Sequence, residues 1–182
     1  MTENQQNEIC LLSVFFNGGI KMKTIRAERI TKENFAPYGK YINLYEERAN
    51  ITEDFECYMA RELHVDEPMN LGITICKAGD FNSVSMERHF LTEEPQFCGD
   101  GEMVLTVADS DPEKYPEDKD VKAFILKPGD LAVLAKGIWH DANHGVDKDT
   151  LYYFMATCKE PDNLREFEWV HVQPEPVRVI VK

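Results

Sequence analysis

Short stretches in which apolar and polar side chains alternate follow one another from Lys23 to Val181, and such alternation predicts strands. The first stretch covers Lys23–Ile30. The other strand candidates are Tyr41–Leu44, Phe55–Ala60, Leu71–Lys77, Ser83–Arg88, Met103–Ala108, Val121–Leu126, Leu131–Leu134, Leu151–Thr157, Phe167–Val172 and Val177–Val181. Turn-forming groups such as Pro128-Gly129-Asp130 separate them. About ten short strands at this spacing predict an all-β fold, an antiparallel sandwich or barrel.

One short helix is predicted near residues 32–36. Thr31 precedes it as a typical N-cap residue, Glu33 places an acid in its first turn, and Pro37 ends it. The body of the sequence carries no long amphipathic helix pattern, which disfavours alternating α/β folds.

Composition narrows the class of protein further. The chain has 182 residues, a length that suits one domain, and its 20 Lys and Arg against 33 Asp and Glu give a net charge of −13. That charge repels phosphate backbones and anionic lipid headgroups, so we expect neither a nucleic-acid nor a membrane partner. A small molecule is the expected partner.

The five cysteines, Cys10, Cys57, Cys76, Cys98 and Cys158, are scattered and form no C-x-x-C pair. They therefore predict reduced thiols and a cytoplasmic protein.

Residues 1–21 are interpreted separately from the domain predicted over residues 22–182. The apolar run Ile9–Phe16 lacks the basic start of a secretory signal, since the first basic residue is Lys21. Residues 17–22 back-translate into a purine-rich box a few bases before an ATG, which suggests a natural start at Met22. A loosely docked N-terminal arm is the alternative, and N-terminal analysis of the protein from its native host distinguishes the two.

Histidines and carboxylates mark the candidate chemistry. Strand alternation places Glu87 and His89 on one face and Arg88 on the other. Glu94 follows His89, and His140 comes just after a turn. Imidazoles and carboxylates that converge inside a small barrel can hold a divalent metal ion and leave coordination positions open.

The spacing of these residues resembles the two motifs of the cupin superfamily. Glu87-Arg88-His89, four residues, Glu94, six residues and Gly101 match the first motif, with Glu in place of its first His. Gly129, five residues, Ala135-Lys136-Gly137, two residues, His140, three residues and His144 match the second, with Ala for Pro and His for Asn. The resemblance implies a single jelly-roll-like cupin barrel of two antiparallel sheets, with Glu87, His89, Glu94 and His140 as metal ligands.

Within the cupins, the chain is similar to the ureidoglycolate lyases. The similar elements are Glu33-Asn34-Phe35-Ala36-Pro37-Tyr38-Gly39, Met86-Glu87-Arg88-His89, Lys122-Ala123-Phe124-Ile125 and Gly137-Ile138-Trp139-His140. The resemblance implies metal-assisted cleavage of ureidoglycolate to glyoxylate and urea, in allantoin and purine nitrogen catabolism. The ion would be Ni, Mn, Zn or Fe.

The same resemblance suggests roles for the remaining candidates. Glu87 or His144 would act as general base or acid. Arg61 and Arg88 would pair with the substrate carboxylate, and Trp139 would form either a pocket wall or part of the core.

Other interpretations stay open. The cluster could be a structural ion-pair network, and His144 could be an ordinary loop histidine. The protein could be another metal-dependent cupin enzyme, acting on a small hydroxy acid or a sugar, or a metal-free small-molecule-binding cupin. Exposed edge strands such as Lys23–Ile30 predict a homodimer.

Overall fold

The computed structural model describes residues 22–61, 63–65, 67–110, 115–157 and 169–182. One four-residue helix, α1 (Lys32–Phe35), lies in these ranges, with 3-10 turns at Leu44–Glu46 and Asp118–Asp120. The strands are β1 (Thr24–Arg26), β2 (Glu28–Arg29), β3 (Gly39–Asn43), β4 (Arg48–Ile51), β5 (Glu56–Met59), β6 (Met69–Cys76), β7 (Phe81–Ser83), β8 (Ser85–Met86), β9 (Glu94–Cys98), β10 (Met103–Ala108), β11 (Val121–Leu126), β12 (Asp130–Leu134), β13 (Trp139–His140), β14 (His144–Gly145), β15 (Thr150–Thr157), β16 (Val170–His171) and β17 (Val177–Ile180).

Two five-stranded sheets form the barrel. Sheet I has the order β3-β12-β9-β15-β6, and all of its pairs are antiparallel. Sheet II has the order β13-β10-β11-β2, with β14 also paired to β10. Leu105 and Phe124 of sheet II share a buried core with Leu134 and Tyr152 of sheet I. The two sheets therefore enclose the predicted interior.

The helix α1 packs against this core. Thr31 caps it, and the side chains of Thr31 and Asn34 exchange hydrogen bonds with each other's backbone N–H groups. Phe35 is fully buried and meets the ring of Phe124 edge-on at 5.4 Å between centroids. The predicted helix is confirmed, with its end at Phe35.

The central strand of sheet II, β10, is buried on both faces. The small sheet β1-β17-β7 lies over its outer face, where Val104 and Ala123 pack with Phe81 and Val179. Double burial explains why every residue of β10 is inaccessible to solvent, whereas a strand with one wet face would alternate.

Three predicted strands differ in detail. Lys23–Ile30 breaks at Ala27, and its halves β1 and β2 join different sheets, each through a parallel pairing. Ser83–Arg88 divides into β7 and β8. Phe167–Val172 is seen as β16, since residues 158–168 lie outside the described part of the chain, as do residues 1–21.

The strand β9 has no counterpart among the predicted elements. Pro95 lies inside it and pairs with Val133 of β12 only, because the pairing with β15 begins one residue later, at Gln96. The missing N–H of the proline therefore interrupts no ladder on the β15 side.

Within the described residues, no helix is long and apolar enough to cross a membrane. Cys57, Cys76 and Cys98 are free thiols, as predicted, whereas Cys10 and Cys158 lie outside the described residues.

Candidate metal centre

Three segments bring the four predicted ligands together. Glu87 and His140 exchange two backbone hydrogen bonds, of 2.9 and 2.8 Å, so their side chains project from the same side of this antiparallel bridge. The carbonyl of His89 accepts a 2.7 Å hydrogen bond from the N–H of Gly137. Glu94 enters from β9 in sheet I, opposite Leu134. The side chains meet at the junction of the two sheets.

The distances show a compact cluster. Glu94 Oε2 lies 3.0 Å from His89 Nε2 and 2.9 Å from His140 Nε2. Glu87 Oε1 lies 3.9 Å from His140 Nε2. Ligand atoms of Glu87, His89 and His140 all lie within 4.8 Å of one another. His89, Glu94 and His140 are buried, while the side chain of Glu87 keeps 22% of its surface exposed.

This donor set fits a divalent metal ion. The approach of Glu94 Oε2 to His140 Nε2 lacks hydrogen-bond angles, and neither buried atom has a hydrogen-bond partner among the described residues. On the other side of the His140 ring, Nδ1 lies 3.2 Å from the carbonyl oxygen of Ile138. A proton held on Nδ1 by that carbonyl leaves Nε2 as the free donor atom, the usual arrangement of a metal-bound imidazole.

The charges of the cluster are strongly coupled. Burial opposes the charge on Glu94, but the nearby His140 and His89 hold the pKa of this carboxyl below its ordinary value. Burial likewise opposes protonation of His140, yet Glu94 and Glu87 raise its pKa to about 9. Burial raises the pKa of Glu87, against the opposing effect of His140 and His89. Without a metal ion, the site therefore holds a buried ion pair.

Two buried amides stand behind Glu94. Gln96 Nε2 donates to Glu94 Oε1 at 2.8 Å, and Asn143 Nδ2 donates to Gln96 Oε1 at 2.8 Å. Sequence reasoning missed both residues. Gln96 shares a strand face with Glu94 through its two-residue spacing, a signal that becomes visible once β9 is recognised.

Asp141 is a further, half-buried acid beside the cluster. Its side chain accepts a 2.7 Å hydrogen bond from the Ser83 hydroxyl and a 2.7 Å bond from the N–H of Ala142. Burial raises the pKa of Asp141 to about 6 against these two hydrogen bonds.

The structure does not bring His144 to the cluster. Its ring stacks on Phe81 at 3.6 Å between centroids. His144 pairs with Val104, whose side chain packs on the outer face of sheet II, whereas His140 pairs with Val107, whose side chain belongs to the inner core. The imidazole of His144 thus lies on the opposite face of the sheet.

The predicted substrate-binding residues also lie apart from the cluster. The Arg88 guanidinium stacks over the ring of Trp139 at 4.1 Å, and Trp139 packs in a core on the outer face of sheet II. Arg88 therefore points away from Glu87 and His89, as alternation indicates. Arg61 lines a separate cavity of about 320 Å³ beside Lys40 and Tyr41.

The fold and the site together define the class of protein, a cupin, as the resemblance implies. The Mycobacterium tuberculosis RmlC epimerase is similar in fold, with 9% identity and a TM-score of 0.50 over 75% of this chain and 70% of that one. The WlaRB TDP-quinovose 3,4-ketoisomerase of Campylobacter jejuni covers 66% of this chain and 85% of its own, with 14% identity and a TM-score of 0.45. The likeness to the epimerase shows the fold alone.

The family follows from the sequence. A model of the ureidoglycolate lyase family matches residues 22–177, so the chain belongs to that family. No curated protein sequence matches this chain.

Proposed function

We propose that this protein is a metal-assisted lyase that cleaves ureidoglycolate to glyoxylate and urea. The observation that carries the proposal is the convergence of two imidazoles and two carboxylates inside the barrel of a chain that belongs to this family. We place the reaction in the cytoplasm, in the catabolism of purine nitrogen through allantoin.

The chemistry needs one proton to move. The substrate hydroxyl loses its proton, the carbon–nitrogen bond breaks as the aldehyde forms, and the leaving urea nitrogen gains a proton. One carboxylate that accepts the first proton and returns it to the nitrogen balances the reaction. We assign this role to Glu87, because it is the cluster carboxylate that solvent reaches, and His144 faces the other side of the sheet.

The three buried members of the cluster, His89, Glu94 and His140, would hold the ion. A divalent ion bound there would lower the pKa of the substrate hydroxyl and orient the substrate carboxylate. With Glu87 included, two carboxylates balance the two charges of the ion, so the site tolerates an anionic substrate. The Glu94 carboxylate and the two imidazoles are ligands acceptable to Ni, Mn, Zn and Fe alike.

Urea release from ureidoglycolate tests the proposal directly. Purified protein supplied with Mn(II), Ni(II) or Zn(II) should release urea and glyoxylate in equal amounts from one enantiomer. Glu87→Gln should lose this activity, and the matched control His144→Gln should keep it. Absence of urea release at high protein concentration with each ion would refute the lyase assignment. Ligand binding that survives His89→Ala without metal would favour a metal-free binding protein instead.

We also propose that the protein is a homodimer, with a second copy on the outer face of β6. Leu71, Ile73 and Ile75 alternate along this edge strand and are 68%, 55% and 75% exposed, and Tyr153 adjoins Ile73 on β15. Together they expose on the order of 400 Å² of apolar surface, the size typical of an interaction patch. Two such patches facing each other supply a large part of a standard interface of about 1,600 Å².

A further inference from the structure

We propose that Gln96 is a positioning residue, which fixes Glu94 so that one carboxylate oxygen alone faces the two histidines. The inference rests on the metal site of the proposed function and deepens it. It concerns a residue that touches neither substrate nor ion and acts through Glu94.

The geometry on β9 supports this role. Glu94 and Gln96 lie on the same face of the strand, and both are buried, Gln96 with 1% of its surface exposed. The 2.8 Å bond from Gln96 Nε2 occupies Glu94 Oε1, so Oε2 is the oxygen left to face His89 and His140. The carboxylate cannot rotate to present both oxygens without breaking a buried hydrogen bond.

The orientation of the Gln96 amide is itself fixed. Its oxygen accepts the 2.8 Å bond from Asn143 Nδ2, and Asn143 is buried. A flipped Gln96 would place its NH₂ group against another NH₂ group and its oxygen against the Glu94 carboxylate, so the network permits one orientation. Asn143 therefore fixes the orientation of the Gln96 amide, and Gln96 fixes the orientation of the Glu94 carboxylate.

The chemistry of an amide suits the position. Gln96 donates a hydrogen bond to the carboxylate without adding charge, whereas a lysine or arginine there would compete with a cation for Glu94. Partners that orient a metal ligand in this way change metal affinity about 10- to 100-fold when they are removed.

Metal titration of the full chain tests the inference. Metal-free protein is titrated with Mn(II), and the spectrum of bound Mn(II) is recorded by electron paramagnetic resonance. Gln96→Met keeps the length of the side chain and removes the amide. We expect Mn(II) to bind 10- to 100-fold more weakly, with an altered spectrum because Glu94 is free to rotate. Thr106→Val, which removes a buried hydroxyl from the outer-facing side of β10, is the matched control and should bind as the wild type does.

Asn143 supplies a second measurement. Asn143→Leu should also weaken Mn(II) binding, and the double variant with Gln96→Met should be no weaker than Gln96→Met alone, because Asn143 acts through Gln96. Gln96→Leu also removes the NH₂ donor without adding charge, and it should weaken binding even if Gln96→Met fails to fold.

The outcomes separate the two proposals. Binding by folded Gln96→Met and Gln96→Leu within threefold of the wild type, with an unchanged spectrum, would overturn the role of Gln96 while leaving the metal site intact. A wild-type protein that binds no Mn(II) would overturn the metal site, and this inference with it.

Discussion

The buried ion pair between Glu94 and His140 makes the stability of the metal-free protein depend on pH. The pKa of His140 rises from its ordinary 6.5 to about 9 in the folded protein. Because the folded state binds this proton more tightly than the unfolded chain, the stability it contributes is fully present below pH 6.5 and is lost as the pH rises to 9. At about 1.4 kcal/mol for each pKa unit, the free energy of unfolding should fall by roughly 3 kcal/mol across this range.

Urea unfolding with a chelator present measures this fall, at intervals between pH 6 and 9. Glu94→Gln removes the carboxylate that favours the His140 proton, so burial should keep the imidazole neutral and flatten the pH dependence to within about 1 kcal/mol. The exposed His64 is the matched control, and His64→Asn should retain the full fall. Wild-type stability that is flat from pH 6.5 to 9, or an equal fall in Glu94→Gln, would show that Glu94 and His140 do not form the buried ion pair.

Three other predictions concern activity, stability and assembly. Glu87→Gln should lower kcat for urea release by about 10²- to 10⁴-fold while metal content stays at the wild-type level; loss of the metal would show instead that Glu87 is mainly a ligand. Asp141→Asn should raise the free energy of unfolding by about 3 kcal/mol at pH 8, because the pKa of Asp141, raised from 3.8 to about 6, makes its ionisation costly above that pH. This gain in stability should vanish near pH 4. The urea midpoints of the wild type and the variant at pH 8 and at pH 4 measure the gain and its loss. Ile73→Lys should convert the proposed dimer to a monomer in light scattering after size exclusion, whereas Ile51→Lys, at a similarly exposed site on β4, should not. A wild-type monomer would contradict the proposed interface.

The four clustered side chains illustrate what sequence spacing can predict. Motif spacing alone brought together Glu87, His89, Glu94 and His140, and the structure places all four at one point. The barrel was likewise predictable, because strands such as β10 and β11 begin and end where their apolar runs do. Because motif spacing is a property of the whole fold, these four residues could be identified without correct strand boundaries.

Strand boundaries were less predictable where polar residues face inward. In β9 the alternate residues Glu94 and Gln96 point into the barrel, and Pro95 lies between them, so the segment has the composition of a loop. Because β9 was not among the predicted strands, the sequence did not show that Gln96 lies behind Glu94. The pattern of apolar and polar residues along a strand cannot show that its polar face is buried because it forms a functional site.

The placement of His144 depends on a detail of register. His144 lies four positions after His140, a spacing that would keep both on one face of a regular strand. Their partners Val107 and Val104, however, are only three residues apart on β10. The extra residue turns His144 to the other face, and pairing register of this kind is not encoded in the spacing of a motif.

The ligands of the site come from different layers of the barrel, and this has a mechanical consequence. Glu94 belongs to sheet I, His140 belongs to sheet II, and His89 lies on the segment that joins β8 to β9. An ion held by all three residues would link the two sheets. The unfolded chain would offer the ion no comparable site. Opening of the barrel would then require release of the ion, so the metal-loaded protein should survive heat and proteases longer than the metal-free form.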